Sequence, residues 1–207
     1  MTRGFPGFDN IYRLGDPVLN AHFRGRMEAE SDTLLDVDRG EMIPEQPIPV
    51  RHDAGGKPRD VIWTTWAIPV VVSERVIDLL RASGFTGWAT YPVTVYDRDG
   101  ATLDGYRGLS TSGRCGPLDY SRSEPVSVPV PGGGEGLQYR GKYFDPASWD
   151  GSDFFLPSSG FGGRFVVAAV KRAFEDAKIR NVDFERLSEA LVSPDTVERY
   201  VRHAPPG

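Results

Sequence analysis

The chain has 207 residues, a formal net charge of −5, one cysteine, and high counts of glycine (24) and proline (17). At this length folding removes roughly 70% of the unfolded surface from water, so a core forms without staples, and a single cysteine excludes an internal disulfide framework or a multi-cysteine zinc site. No apolar run approaches the roughly 20 residues that span a bilayer, the opening MTRGFPGFDN lacks an export signal, and net acidity disfavours nucleic acid; a cytoplasmic protein with no membrane or nucleic-acid partner is expected.

Residues 1–59 combine Gly, Pro and charge with scattered apolar positions (Phe5, Phe8, Ile11, Tyr12, Leu14, Val18, Leu19, Phe23). They read as an irregular acidic wrap, with one short helix near Ala21 to Glu30, packed on a main domain over 60–207. The charge is concentrated. Between Met27 and Gln46 stand Glu28, Glu30, Asp32, Asp36, Asp38, Glu41 and Glu45 against Arg39 alone. Such a stretch is either a solvated loop or a contact surface for a basic partner, where opposite potentials speed encounter. His52 to Arg59, with its Gly-Gly and Pro, is a turn.

Regular structure is expected from Asp60. VIWTTW and IPVVVS are β-branched and aromatic, with Pro69 at an edge or strand start. Ser73 then caps a helix whose stripe is Val76, Ile77, Leu79 and Leu80, ending at Gly84. WATYPVTVYDRDG follows as a strand running into a turn at Asp97 to Gly100.

The same pattern returns 94 residues later. VVSERVIDLLRASGFTGWATYPV from Val71 lies over FVVAAVKRAFEDAKIRNVDFERL from Phe165, matching Val76 with Val170, Leu80 with Phe174 and Gly87 with Asn181. Gly and Asn best tolerate positive φ, which a chain leaving a helix often needs. The expected fold is therefore α+β, with mixed sheet and two similar strand-helix-strand units, about 68–97 and 162–188. Between them lie strands near 105–112 and 125–130, the PGGGEG loop, LQYRGKYF and SDFFLP. The chain closes with a helix capped by Ser193, its apolar side formed by Val197, Tyr200 and Val201.

No catalytic constellation emerges. Cys115, in GLSTSGRCGPLDYSRS, would need a depressed pKa and a histidine base, and His22, His52 and His203 all fall in predicted loop, wrap or terminal helix. Asp97, Asp99 and Gly100 resemble the start of a calcium loop, but Gly108 stands where the bidentate Glu is required, so a turn is expected. PGGGEG lacks a following Lys-Ser/Thr, and GFGG at Gly160 to Gly163 precedes a strand. No metal ligand set, cofactor site or catalytic group is assigned. Trp63, Trp66, Trp88 and Trp149 could anchor an interface, though core is their commoner fate. Arg114, Asp119 and Arg122 are charged side chains on the bend, placed to brace two halves or to meet a partner.

The run IPVVVSERVIDLLRASGFTGWATYPVTVYDRDG, then YRGLSTSGRCGPLDYSRS, then SDFFLP and FVVAAVKRAFEDAKIRNVDFERL resembles the immunity proteins of bacterial polymorphic toxin systems, family eleven, once a domain of unknown function. It also looks like related myxobacterial paralogues with two Cys-x-x-Cys-Gly motifs, which are absent here, so no metal binding carries over. The resemblance covers about residues 60–190. It implies a non-catalytic protein that neutralises a cognate toxin by binding; the acids at 28–45 lie outside the resemblance, and their concentrated charge is what suggests a basic toxin surface as counterpart. Two alternatives stand beside it: a hydrolase or transferase using Cys115, and a small-ligand binding or regulatory module.

Overall fold

A computed structural model of the chain describes residues 4–17, 22–64, 69–158 and 163–203. Strand (39%) outweighs helix (21%), in an α+β fold whose largest sheet is curled into a half-barrel. Val18, Leu19, Trp66 and most of the GFGG run lie outside the described residues, as do the Tyr200 and Val201 side chains.

The repeat seen in the sequence is the organising feature, and it extends beyond the two strand-helix-strand units. The first unit comprises β4 (Val61–Thr64), β5 (Val70–Ser73), α2 (Glu74–Ala82) and β6 (Trp88–Tyr91). The second comprises β13 (Phe154–Pro157), β14 (Arg164–Val167), α3 (Ala168–Asp176) and β15 (Asp183–Arg186). The 94-residue offset holds from Val70 and Arg164 through both nine-residue helices. Their ends match bond for bond: Ser83, Gly84 and Phe85 donate to Leu79, Arg81 and Leu80, while Ala177, Lys178 and Ile179 donate to Ala173, Glu175 and Phe174. Positive φ recurs at matched places, at Gly84 (66°) and Lys178 (52°) and at Gly87 (79°) and Asn181 (66°).

Each unit also lends a strand to the other. β1 (Ile11–Gly15) lies between β14 and β15 in a five-stranded sheet, antiparallel to both. β9 (Tyr106–Thr111) lies between β5 and β6, again antiparallel to both. The strands that follow them, β2 (Arg24–Met27) and β10 (Gly113–Cys115), pair in parallel with β4 and β13. The two orders, β2-β4-β5-β9-β6 and β10-β13-β14-β1-β15, thus agree in every neighbour and every sense. The molecule is a duplicated unit with exchanged first strands.

Polar contacts cross reciprocally. Asp60 accepts from the Ser73 backbone and, through Oδ2, from the Arg180 backbone 3.0 Å away. Asp153 accepts from the Val167 backbone and, through Oδ2, from the Thr86 backbone, also 3.0 Å away. The loop after each helix is therefore fastened by the carboxylate that opens the other half's hairpin. Each aspartate thus receives two backbone N–H groups, one on its carbonyl from its own half and one on its carboxylate from the other.

The first half is enlarged. β3 (Ile48–Ala54), β7 (Val93–Tyr96) and β8 (Thr102–Leu103) extend its sheet to eight strands. β6 and β7 are separated only by Pro92 yet sit near opposite ends of that order, which curls the sheet. Side chains alternate as period two requires: Val61, Trp63, Val70 and Val72 enter the main core with α2 and α3, while Ile62 and Val71 face the curled interior with Phe23, Val50, Tyr91 and Val95. Buried Val76, Ile77 and Leu80 hold α2 on the main core, each contributing roughly 1.5–3 kcal/mol. In the second half the corresponding face is covered by aromatics, Phe155 meeting Phe144 and Phe165 edge-on and Trp149 at a tilt. A three-stranded sheet of β11 (Glu124–Pro129), β12 (Glu135–Arg140) and β16 (Leu191–Val192), with α4 (Pro194–His203) against β12, completes the fold.

Residues 1–59 are more regular than their composition indicates. In place of an irregular wrap they supply β1, β2, β3 and a helix, α1 (Ser31–Arg39). The helix expected near Ala21 to Glu30 is displaced, because Arg24–Met27 forms β2, with Gly25 and Met27 buried. A Cβ at Gly25 would overlap Val50. WATYPVTVY, read as one strand, is broken at Pro92 into β6 and β7.

Candidate functional site

The acidic segment is a helix followed by an extended strip, and its seven acids divide by role. α1 has Asp32 in its first turn and ends at Gly40 in the left-handed region (φ 68°), whose N–H bonds to Val37. Both features are the usual signals for a helix of this polarity. Val37 is fully buried, and its carbonyl accepts from Ser110 Oγ at 2.6 Å.

Asp38, expected to meet a partner, is instead a structural anchor. It is 7% exposed, and Arg164 Nη2 donates to its Oδ1 at 2.5 Å. Arg164, 6% exposed, also donates to Thr111 Oγ1 and to the Leu109 carbonyl. Burial pushes the Asp38 carboxyl above its usual range, with Arg164 opposing that shift. A buried pair of this kind fixes the place of α1 more than it adds stability, since desolvation offsets most of the attraction. The Tyr91 hydroxyl beside them is buried without a partner and is raised by burial and by the Asp38 charge.

Arg114 ties the same helix to β10. Its Nη1 donates to the Thr111 and Gly113 carbonyls, and its Nη2 to the Arg39 carbonyl at 2.8 Å and to Glu41 at 3.3 Å. Arg122 lies over the rings of Phe8 and Tyr143, 5.1 and 4.4 Å from their centroids. Asp119 Oδ1 accepts from the Ser121 backbone within its own turn, next to the Asp119–Tyr143 bridge. All three contact the fold; Arg114 and Arg122 brace separate elements.

The remaining acids form the exposed face. Glu28 pairs with Arg51 at 2.8 Å, both solvent-accessible. Glu30, Asp32, Glu41 and Glu45 are exposed, and Asp36 is half-buried. After Gly40 the strip alternates: Met42 and Pro44 turn in, Glu41, Ile43 and Glu45 turn out. Met42 packs on the curled interior, whereas Ile43 is 73% exposed, more than any other large apolar side chain among the described residues. Composition did not single out Ile43; the alternation E-M-I-P-E was the readable signal.

Cys115 sits 2% exposed at the end of β10. Burial, and then the Asp150 charge, push its thiol up to about 12, so thiolate is scarce near neutrality, the reverse of an activated nucleophile. Among the described residues no group of three metal-ligating side chains is gathered. Asp97 Oδ1 accepts from the Asp99 and Ala101 backbones, a closed turn with Gly100 at φ 82°. Trp63 and Trp149 are buried and Trp88 half-buried, each with its indole N–H on a backbone carbonyl, serving packing. No helix among the described residues is long and apolar enough to cross a membrane. No protein-family model matches the chain, and no curated protein matches it.

Proposed function

We propose that the chain is a non-catalytic immunity-type protein that binds a cognate bacterial toxin and neutralises it by occupying a basic surface of that toxin. The observation that carries this reading is the strip Glu41-Ile43-Glu45, an apolar knob between two carboxylates, held on a helix that is locked to both halves. An exposed aliphatic anchor rimmed by charge has the anatomy of a hot spot: the centre supplies apolar burial, and the rim excludes water and steers approach. Glu28, Glu30, Asp32 and Asp36 extend the same negative surface, and the order of motifs over residues 60–190 supplies the toxin-immunity context. Asp38, Arg114, Asp119 and Arg122 act in this reading by shaping the surface.

Co-expression with the toxin encoded beside its gene tests the proposal. The chain is expected to protect the cell and to co-purify with that toxin. Ile43→Asp should weaken binding about tenfold or more, from loss of one buried aliphatic side chain. Reversing Glu41 and Glu45 to Lys should slow association and flatten its salt dependence. Absence of both protection and co-purification would overturn the reading.

A further inference from the structure

The enlargement of the first half creates a cleft that the duplicated framework does not require. It measures ≈ 360 Å³ and lies between the β3–β4 loop, the β7–β8 turn and the start of β2. This is within the range of small-molecule sites. Phe23, Pro58 and Leu103 give it apolar walls, and His52, Lys57 and Arg98 give it donors.

Its walls are fixed to one another. Phe23 stacks edge-on against His52 with centroids 4.9 Å apart, and the Phe23 backbone donates to the Lys57 carbonyl. Arg98 reaches across to the Gly55 carbonyl. Gly55, at φ 80°, presses so closely on the His22 carbonyl that a Cβ there would overlap it. His52 Nε2 lies 2.9 Å from the Gly55 carbonyl; since a carbonyl only accepts, Nε2 carries the proton and the ring is held. A site assembled this way loses little entropy when a ligand enters.

Its charge is directional. Among the described residues neither Lys57 nor Arg98 forms an ion pair, and both are exposed at the rim. The one lining carboxylate, Asp97, has Oδ1 engaged by two backbone N–H groups of its own turn. Two cations over a mainly apolar floor suit a ligand with one anionic end and one apolar body.

We propose that this cleft binds a small organic carboxylate, its charge held by Lys57 and Arg98 and its apolar body laid against Phe23, Pro58 and Leu103. The site is independent of the acidic strip and of any toxin.

The test uses the full chain, ¹⁵N-labelled, titrated with 4-phenylbutyrate, with 4-phenylbutanol, and with inorganic phosphate. Saturable shifts confined to residues 22–23, 52–58 and 97–103 are expected with the carboxylate. The alcohol should bind about tenfold more weakly, and phosphate likewise, because each lacks one half of the recognition. The Lys57→Ala/Arg98→Ala double variant should lose about tenfold or more in affinity for 4-phenylbutyrate. No saturable shift, equal binding of the alcohol, or phosphate binding as tightly as 4-phenylbutyrate would each overturn the proposal. The wild-type comparison of acid with alcohol decides the matter even if the double variant folds poorly.

Discussion

Gly87 and Asn181 occupy one position in the two halves and meet corresponding strands of the opposite half, β13 and β4, in different ways. Asn181 extends its Nδ2 to the Val61 carbonyl at 2.8 Å. Gly87 lies so close to the Phe154 carbonyl that a Cβ would overlap it. One half fills the crossing with a side-chain hydrogen bond and the other with direct backbone approach, yet both keep positive φ and both keep the aspartate clasp from the opposite half. The covers differ more. The first sheet curls over its own core under α1, β3 and β7, while the second rests on Phe144, Trp149, Phe5 and Phe8. The framework is thus common to both halves, and both proposed binding features, the acidic strip and the carboxylate cleft, belong to what only the first half added.

Bisecting the chain in the Asp97–Gly100 turn should have the largest effect. Each fragment then lacks the strand that the other supplies to the middle of its sheet, β9 in one case and β1 in the other. Neither fragment should show a cooperative melt by circular dichroism, and mixing the two should restore one. Autonomous folding of either would break the comparison.

Next in size is the ion pair beneath α1. Asp38→Asn or Arg164→Met alone should cost about 3–5 kcal/mol in urea unfolding, because the surviving partner is buried without its counterpart. Replacing both by Leu and Met should return most of that loss. Equal damage from single and double variants would mean that the pair acts through something other than charge.

The matched loop position offers a smaller contrast. Gly87→Ala should destabilise by about 2 kcal/mol or more through strain at positive φ and overlap. Asn181→Gly should cost about 1 kcal/mol, one hydrogen bond less the relief of a left-handed backbone. Equal costs would remove the distinction between the halves.

How much of this was readable beforehand varies by element. The repeat was legible because a helix stripe, its terminus and two residues suited to positive φ are local signals. The strand exchange was not, since nothing within β1 or β9 states which sheet will receive it. The N-terminal strands escaped because RGRM and IYRLG lack a β-branched run, and α1 because Leu34 and Val37 give it so narrow an apolar face. Asp38 was indistinguishable from the acids around it; its burial depends on Arg164, 126 residues away. The place of Arg114 and Arg122 on the bend left two readings open, a brace between halves or a contact for a partner. Their actual partners, the Arg39 carbonyl and the Phe8 ring, come from distant segments.

The smallest expected effect concerns Cys115. Its native thiol titrates near 12 and the unfolded one near 9, so its contribution to stability is intact below about 9 and is lost as pH rises toward 12. Iodoacetamide should leave the folded protein unmodified at pH 8 and label it rapidly in denaturant. Ready labelling of the native state would restore the case for a reactive cysteine.

Native-state hydrogen exchange tests the exchanged-strand account most directly. Amides of β1 and β9 should open only with the global unfolding free energy, together with β14 and β5, because each closes the other half's sheet. If the two halves exchanged with separate, lower free energies, β1 leaving with the first half and β9 with the second, they would be independent domains and the account would be contradicted.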